Sequence, residues 1–216
     1  MPGALIIFKF IVLIFSIMIH EIAHGFMAEK LGDDTAKLAG RLTLNPLRHI
    51  DLFGSILLPL VLFLTHSPIM IGWAKPVPFN PFALKKDYRY GPLKVALAGP
   101  LSNVLILLVV GILARLGFGF FSPELIGLLG YIAFLNISLA VFNLIPIPPL
   151  DGSRILPLIF PKLASQFERI GMAGILLVVV FLSFFSSVIV TIAAYIFVFV
   201  AGSNVFVTSL PYLSGQ

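Results

Sequence analysis

The sequence predicts an all-α polytopic membrane protein with about five transmembrane helices and one further apolar segment that enters the membrane without crossing it. Three observations support this fold class. Hydrophobic residues make up 59% of the 216 residues and charged residues only 11%, whereas soluble domains carry about 25% charged residues. The mean hydropathy is +1.10. Several apolar stretches also reach the length of about 20 residues that a membrane-spanning helix needs.

Charge and cysteine content narrow the classes of function. The net charge of +5 fits cytoplasmic loops enriched in Lys and Arg. No basic face or aromatic RNA-binding pattern occurs, which excludes nucleic acid as a partner. The chain has no cysteine, so disulfides and thiolate metal ligands are excluded. The lipid bilayer is therefore the first predicted partner, and the sequence leaves the oligomeric state open.

The first two apolar stretches differ in regularity. Residues 4–28 predict one helix, which carries polar residues near its C-terminal end. Residues 52–71 are apolar again, but Pro59 and Pro68 interrupt them, and proline in a helix interior removes a hydrogen bond and kinks or breaks the helix. We therefore expect residues 52–71 to form a re-entrant segment or a short hairpin.

The remaining apolar stretches lie in the second half of the chain. Residues 93–116 and residues 125–145 each predict one spanning helix. Residues 171–210 are too long for one span and predict a C-terminal helical pair, with the SFFSS stretch at residues 183–187 as the expected place for the chain to fold back. Together these elements predict a single membrane domain over residues 1–216.

An unusual polar cluster, HEIAH, lies at the end of the first apolar stretch. Histidine and carboxylate side chains inside a membrane are costly, so they are usually paired, face a cavity or hold an ion. On a helix, residues four apart share a face. His20 and His24 can therefore bind one metal ion, with Glu21 beside them.

A second polar cluster, NLIPIPPLDG (residues 143–152), ends the helix predicted at residues 125–145. Its three prolines prevent the helix from continuing, and irregular backbone at membrane depth is tolerated only inside protein or along a wet cavity. Asp151 is the natural third ligand here, because catalytic zinc typically has three protein ligands and one open position. Zinc would then acidify a water molecule, and Glu21 would take its proton.

In this order, HEIAH, AGPLSN and NLIPIPPLDG resemble the site-2 protease family of intramembrane zinc metalloproteases, and GWAKPVP resembles a loop of its compact prokaryotic branch, which lacks PDZ and CBS domains. The resemblance implies a zinc-dependent endopeptidase that cleaves membrane proteins in or near their transmembrane segments. It implies that His20, His24 and Asp151 bind one zinc ion per chain and that Glu21 is the general base.

Two asparagines and one loop are further candidates for substrate binding. The resemblance implies that Asn143 lies close to the site and hydrogen-bonds the substrate backbone, although an ordinary bond between membrane helices is an alternative. Asn103 lies four residues after Gly99, where it can contact substrate or bond across closely packed helices. The GWAKPVP loop is our candidate for holding an extended substrate as an added strand.

Topology follows from where the two polar clusters must meet. A basic cluster precedes residues 93–116, which places the start of that helix on the cytoplasmic side. The helix at residues 125–145 then returns, and Asp151 arrives near the cytoplasmic face. Residues 4–28 must run in the same direction, so residues 52–71 cannot cross. The sequence therefore predicts a multi-pass cell-membrane protein whose active site lies nearer the cytoplasmic face.

Two other functions remain open at this point. A catalytically silent relative could bind membrane proteins without cleaving them. A metal-ion transporter could use the same His and Asp residues for a permeating ion. Transporters commonly show inverted repeats and broken helices in both halves, and the sequence shows neither, so it favours the protease.

Overall fold

The computed structural model describes residues 2–51, 57, 61, 64, 75–87, 89–160 and 174–213. Across these residues the regular structure is helical. The helices, numbered in chain order, are α1 (Pro2–Leu31), α2 (Thr35–Leu38), α3 (Gly91–Gly117), α4 (Pro123–Asn143), α5 (Leu156–Ile159), α6 (Gly174–Ala201) and α7 (Ser203–Leu213). Short 3-10 turns occur at Pro46–Arg48, Pro81–Ala83 and Asp151–Ile155.

Four of these helices are long and apolar enough to span a membrane, namely α1, α3, α4 and α6. The prediction of a polytopic helical membrane protein is therefore confirmed. The expected total of about five spans plus a hairpin is not confirmed. The hairpin segment, residues 52–71, lies outside the described residues apart from positions 57, 61 and 64, so its course stays a prediction.

The three predicted core helices are confirmed with small shifts at their ends. The helix expected at residues 4–28 continues to Leu31. It ends there because the next residue, Gly32, adopts a φ of +104°, a left-handed conformation that glycine readily takes and that does not continue a helix. The helix expected at residues 125–145 begins at Pro123. The Ser122 side chain accepts the N–H of Leu125 there, and proline is favoured at the first helical position.

The predicted fold-back at residues 183–187 is wrong. α6 continues through it without a break, and the Ser183 hydroxyl donates to the carbonyl of Val179 at 2.9 Å, so this serine is satisfied within the helix. The chain breaks instead at Gly202, where φ is +90°. The following α7 has 11 residues and is about 16 Å long, too short to span a hydrocarbon core of about 30 Å.

The chain divides into two compact units, Met1–Gly99 and Pro100–Gln216, and its predicted organisation as one domain stays a prediction. In the second unit, α4 packs against α6 and α7. Small residues allow this close approach: a Cβ at Gly130 would collide with the Ser209 side chain of α7. The core around them is apolar and includes Ala133, Ile137, Phe197 and Val205.

In the first unit, residues 75–80 form a segment without helix or strand that lies beside the C-terminal half of α1. Asp33 is buried and its Oδ2 accepts the backbone N–H of Asn80 at 2.6 Å. Burial raises the pKa of the Asp33 carboxyl, but the hydrogen bonds from Thr35 and Asn80 outweigh it and leave that pKa below its usual value. A Cβ at Gly25 would lie 2.8 Å from the Val77 side chain, so this glycine lets the segment approach α1 closely.

Candidate metal centre

The two histidines predicted as ligands lie one turn apart on α1 and face each other. Their Nε2 atoms are 3.1 Å apart, and the ring planes are nearly perpendicular at 87°. His20 is 6% exposed and His24 9% exposed. One potential ligand atom from each of His20, Glu21 and His24 lies within 4.8 Å of the others. The structure therefore brings together the three residues of the HEIAH motif as predicted.

His24 is oriented by the helix that faces it. Its Nδ1 donates to the backbone carbonyl of Val95 at 2.7 Å. Because a carbonyl can only accept, this contact assigns the proton to Nδ1 and leaves the lone pair on Nε2. A hydrogen bond from the ring nitrogen that does not bind the metal commonly fixes the orientation of a metal-binding histidine.

Gly99 provides the space in which both rings sit. A Cβ built at this position would collide with Nε2 and Cε1 of His24 and would lie 2.6 Å from Nε2 of His20. The same turn of α3 therefore supplies the acceptor at Val95 and the clearance at Gly99. Neither feature is visible in the HEIAH motif itself.

These residues fit a zinc ion. Two nitrogens bound at about 2.05 Å in tetrahedral geometry lie about 3.3 Å apart, close to the 3.1 Å between Nε2 of His20 and Nε2 of His24. Both atoms are imidazole nitrogens, which zinc commonly takes as ligands. With the His24 proton on Nδ1, Nε2 of His20 can donate to Nε2 of His24 at this distance, and loss of that one proton would free both lone pairs for a metal ion.

Replacing Gly99 with Ala is expected to reduce zinc binding and activity together. Alanine is favoured over glycine in a helix by about 1 kcal/mol, so any loss must come from the collision of the new methyl group with the two imidazoles. Zinc per purified chain after dialysis is the measurement. Gly3→Ala is the matched control, because nothing lies within 4 Å of a Cβ there. Full zinc content in Gly99→Ala would contradict the described packing.

Glu21 is held by the segment of residues 75–80. Its Oε2 accepts the backbone N–H of Val77 at 2.9 Å, and among the described residues its Oε1 has no hydrogen-bond partner. One carboxylate oxygen is thus anchored while the other can take a proton. Glu21 is half-buried and adjacent to His20 in the sequence, as a general base beside the metal requires.

The predicted third ligand lies in the second unit. Asp151 is half-buried and begins the 3-10 turn that follows the proline-rich loop. Gly152 packs so tightly that a Cβ there would collide with the carbonyls of Leu144 and Ile145. This contact folds the loop back against the end of α4 and fixes where Asp151 lies in that unit. The role of Asp151 as a ligand stays a prediction.

The two candidate asparagines also lie in the second unit. Asn143 is the last residue of α4, and its Nδ2 donates to the carbonyl of Leu139 in the same helix at 3.0 Å. Asn103 is fully buried and donates to the Oδ1 of Asn136 at 2.8 Å. Asn136 in turn donates to the carbonyl of Ile132. Asn103 thus makes the helix-to-helix bond that was one of its two interpretations, and substrate contact by either residue stays a prediction.

Sequence reasoning missed one charged residue near the motif. Arg41 is 6% exposed, and its Nη2 donates to the carbonyl of Lys75 at 2.5 Å and to that of Pro76 at 3.3 Å. An arginine in a polar stretch is usually assigned to the surface. Its burial depends on contacts more than 30 residues away, which no local pattern indicates.

The chain is similar to known zinc metalloproteases. The profile of Peptidase family M50 matches residues 119–187, a range that includes Asn143 and Asp151. The candidate zinc metalloprotease YwhC of Bacillus subtilis is 42% identical over 168 residues, covering 74% of this chain and 72% of YwhC. The candidate zinc metalloprotease Rip2 of Mycolicibacterium smegmatis is 31% identical, covering 77% of this chain and 63% of Rip2.

The zinc metalloprotease MJ0392 of Methanocaldococcus jannaschii is 30% identical over 155 residues and matches 71% of this chain, although the chain spans only 34% of MJ0392. No solved structure matches. The YwhC match covers most of both proteins, and the HEIAH residues form a cluster that can hold a metal ion. The chain belongs to Peptidase family M50, the site-2 protease family, and is a zinc metalloprotease.

Proposed function

We propose that this protein is an intramembrane endopeptidase that hydrolyses peptide bonds in or beside the transmembrane segments of other membrane proteins. The observation that carries the proposal is the position of the HEIAH cluster. His20 and His24 are buried on α1, a helix long and apolar enough to span the membrane. A metal site on such a helix is suited to substrates that arrive from the bilayer.

Each candidate residue has a role in the proposed reaction. His20, His24 and Asp151 would hold one zinc ion per chain. When bound, zinc supplies Lewis-acid chemistry that polarises the scissile carbonyl and acidifies the attacking water. Glu21 accepts the proton of that water on Oε1, while Val77 holds Oε2, and it returns the proton to the leaving amine.

Substrate must be presented in an extended form. An intact helix engages its carbonyls in bonds to the N–H groups four residues later, so a transmembrane segment must unwind locally before attack. We assign the GWAKPVP loop, whose described part runs beside Glu21, to holding the unwound stretch as an added strand. We assign Asn143 to a hydrogen bond with the substrate backbone. We assign Asn103 either to substrate contact or to the hydrogen bond that joins α3 to α4.

In the proposed topology, residues 1–216 form one domain and the active site lies nearer the cytoplasmic face. It follows from the basic cluster before α3 and from the requirement that both motif-bearing helices reach the same depth. It also requires residues 52–71 to re-enter rather than cross. The proposed count is about five spans plus this hairpin.

Metal removal tests the function directly. The purified protein in proteoliposomes is expected to cleave a quenched-fluorescent single-span transmembrane peptide with a central Asn-Pro pair. A chelator should abolish cleavage, and added zinc should restore it. A silent relative would never cleave the peptide, and a transporter would move zinc across the vesicle membrane without cleavage. Either outcome would replace the proposal.

A further inference from the structure

Arg41 is a buried cation that the proposed chemistry has not used. It is 6% exposed, and its Nη2 donates to the carbonyls of Lys75 and Pro76. Among the described residues its Nε has no hydrogen-bond partner. A buried, incompletely paired guanidinium is costly for stability. This cost favours a functional reason for Arg41 over a purely structural one.

The segment that Arg41 holds ends at the Glu21 carboxylate. The residue after Pro76 is Val77, whose N–H donates to Oε2 of Glu21 at 2.9 Å. Prolines flank Val77 on both sides, and proline has no N–H and a fixed φ. Among residues 76–78, Val77 therefore supplies the only backbone N–H, and the two prolines restrict the backbone around it. Arg41 fixes the two carbonyls that come immediately before that donor.

The far end of the segment is fixed independently. Asn80 donates its N–H to the buried Asp33, and Lys75 donates its N–H to the carbonyl of His49 at 2.9 Å. Asp33 and His49 therefore hold the segment beside α1 at its two ends. Arg41 is thus not required to attach the segment, and its two bonds act on the part that faces Glu21.

Charge also links Arg41 to Glu21. Burial lowers the pKa of the Arg41 guanidinium, and the negative charge of Glu21 opposes this and raises it. Arginine nevertheless stays protonated at any ordinary pH. Arg41 thus places a permanent positive charge close enough to Glu21 for the two side chains to interact electrostatically.

We propose that Arg41 is a positioning residue for peptide-bond hydrolysis: through Lys75, Pro76 and Val77 it fixes the Glu21 carboxylate so that Oε1 is presented to the attacking water. The proposal rests on the proposed function, in which Glu21 is the general base. Arg41 does not touch the water or the zinc, so its effect passes through Glu21. It should alter the chemical step rather than the binding of metal or substrate.

Kinetics of three variants in the full-length protein test this role. With the quenched transmembrane peptide, Arg41→Met is expected to lower kcat by about 10- to 100-fold, with KM and zinc content unchanged. This is the usual cost of losing a hydrogen-bond partner that orients residues of a metal site. Arg41→Lys keeps the charge and can still donate to a backbone carbonyl, so it should recover part of the loss. Arg48→Met removes an exposed arginine from the same polar stretch and should match the wild type.

A double-mutant cycle tests the route through Val77. Val77→Pro removes the N–H that Glu21 accepts and should lower kcat as Arg41→Met does. If both changes act through the same hydrogen bond, the double variant should lose little more than either single variant. Fully additive losses would overturn the route. Val77→Pro also provides the test if Arg41→Met fails to fold, because normal kcat in Val77→Pro would overturn the proposal.

The outcomes separate this proposal from the proposed function. An active wild type, an inactive Glu21→Gln variant and a normal kcat in Arg41→Met would overturn the role of Arg41 alone. Loss of zinc or a raised KM in Arg41→Met would make Arg41 a structural residue and also overturn it. An inactive wild type, or an active Glu21→Gln variant, would instead overturn the proposed function.

Discussion

The Glu21→Gln variant is expected to lose peptide cleavage while still binding zinc. Glutamine has nearly the same shape as glutamate, so it can still accept the N–H of Val77, but it cannot take a proton from water. Removal of a general base typically costs 10²–10⁴-fold. The measurement is the initial rate of cleavage of the transmembrane peptide, together with zinc per chain.

The controls for this variant use the same helix and the same cells. Glu29→Gln changes a carboxylate on α1 that pairs with Lys37 and should cleave at the wild-type rate. In cells, membrane proteomics should show small membrane proteins accumulating in Glu21→Gln relative to the wild type. A near-normal rate in Glu21→Gln would remove Glu21 as the base, and loss of zinc would make it a ligand or structural residue.

The Asp151→Ala variant is expected to lose zinc and activity together. If Asp151 is the third ligand, its removal leaves His20 and His24 alone, and two ligands do not complete a catalytic zinc site. Zinc content after dialysis is the measurement, with His24→Ala as the reference for full loss. Asp34→Ala, which removes an exposed carboxylate after α1, should retain zinc. Full zinc in Asp151→Ala would exclude Asp151 as a ligand.

The helices and the metal cluster could be predicted from the sequence because each depends on a local pattern. Apolar runs of about 20 residues locate α1, α3 and α4, and the spacing of His20 and His24 fixes their shared face. The observed helix bounds lie within three residues of the predicted ones, and the Nε2 atoms are 3.1 Å apart, which confirms this part. Both observations involve residues within one helix.

The C-terminal break lies at Gly202 and not at the predicted SFFSS stretch, because serine does not end an apolar helix. Within an apolar helix a serine hydroxyl bonds the carbonyl four residues earlier, as Ser183 does, and the helix continues. Gly202 ends α6 instead, since glycine readily adopts the positive φ found there. A glycine after a long apolar run was the better signal.

The residues that sequence reasoning missed depend on long-range contacts. Val77 donates to Glu21 across 56 positions, and Arg41 reaches Lys75 across 34. Arg41 donates to backbone carbonyls, and Glu21 accepts a backbone N–H. Because the partner in each contact is a backbone group, its side-chain identity gives little indication of the contact. Gly99 is similar, because AGPLSN suggests close packing but does not identify the imidazoles as the neighbours.

We expect the turn from Val95 to Gly99 also to influence when the metal binds during maturation. Until the start of α3 docks on α1, His24 lacks the acceptor that selects its tautomer, and both rings lack the wall that keeps them in line. In zinc fingers the ion drives folding of the chain. Here we expect the reverse order, with tight zinc binding only after the helices dock. Tightly bound zinc would then mark a chain in which this part of assembly is complete.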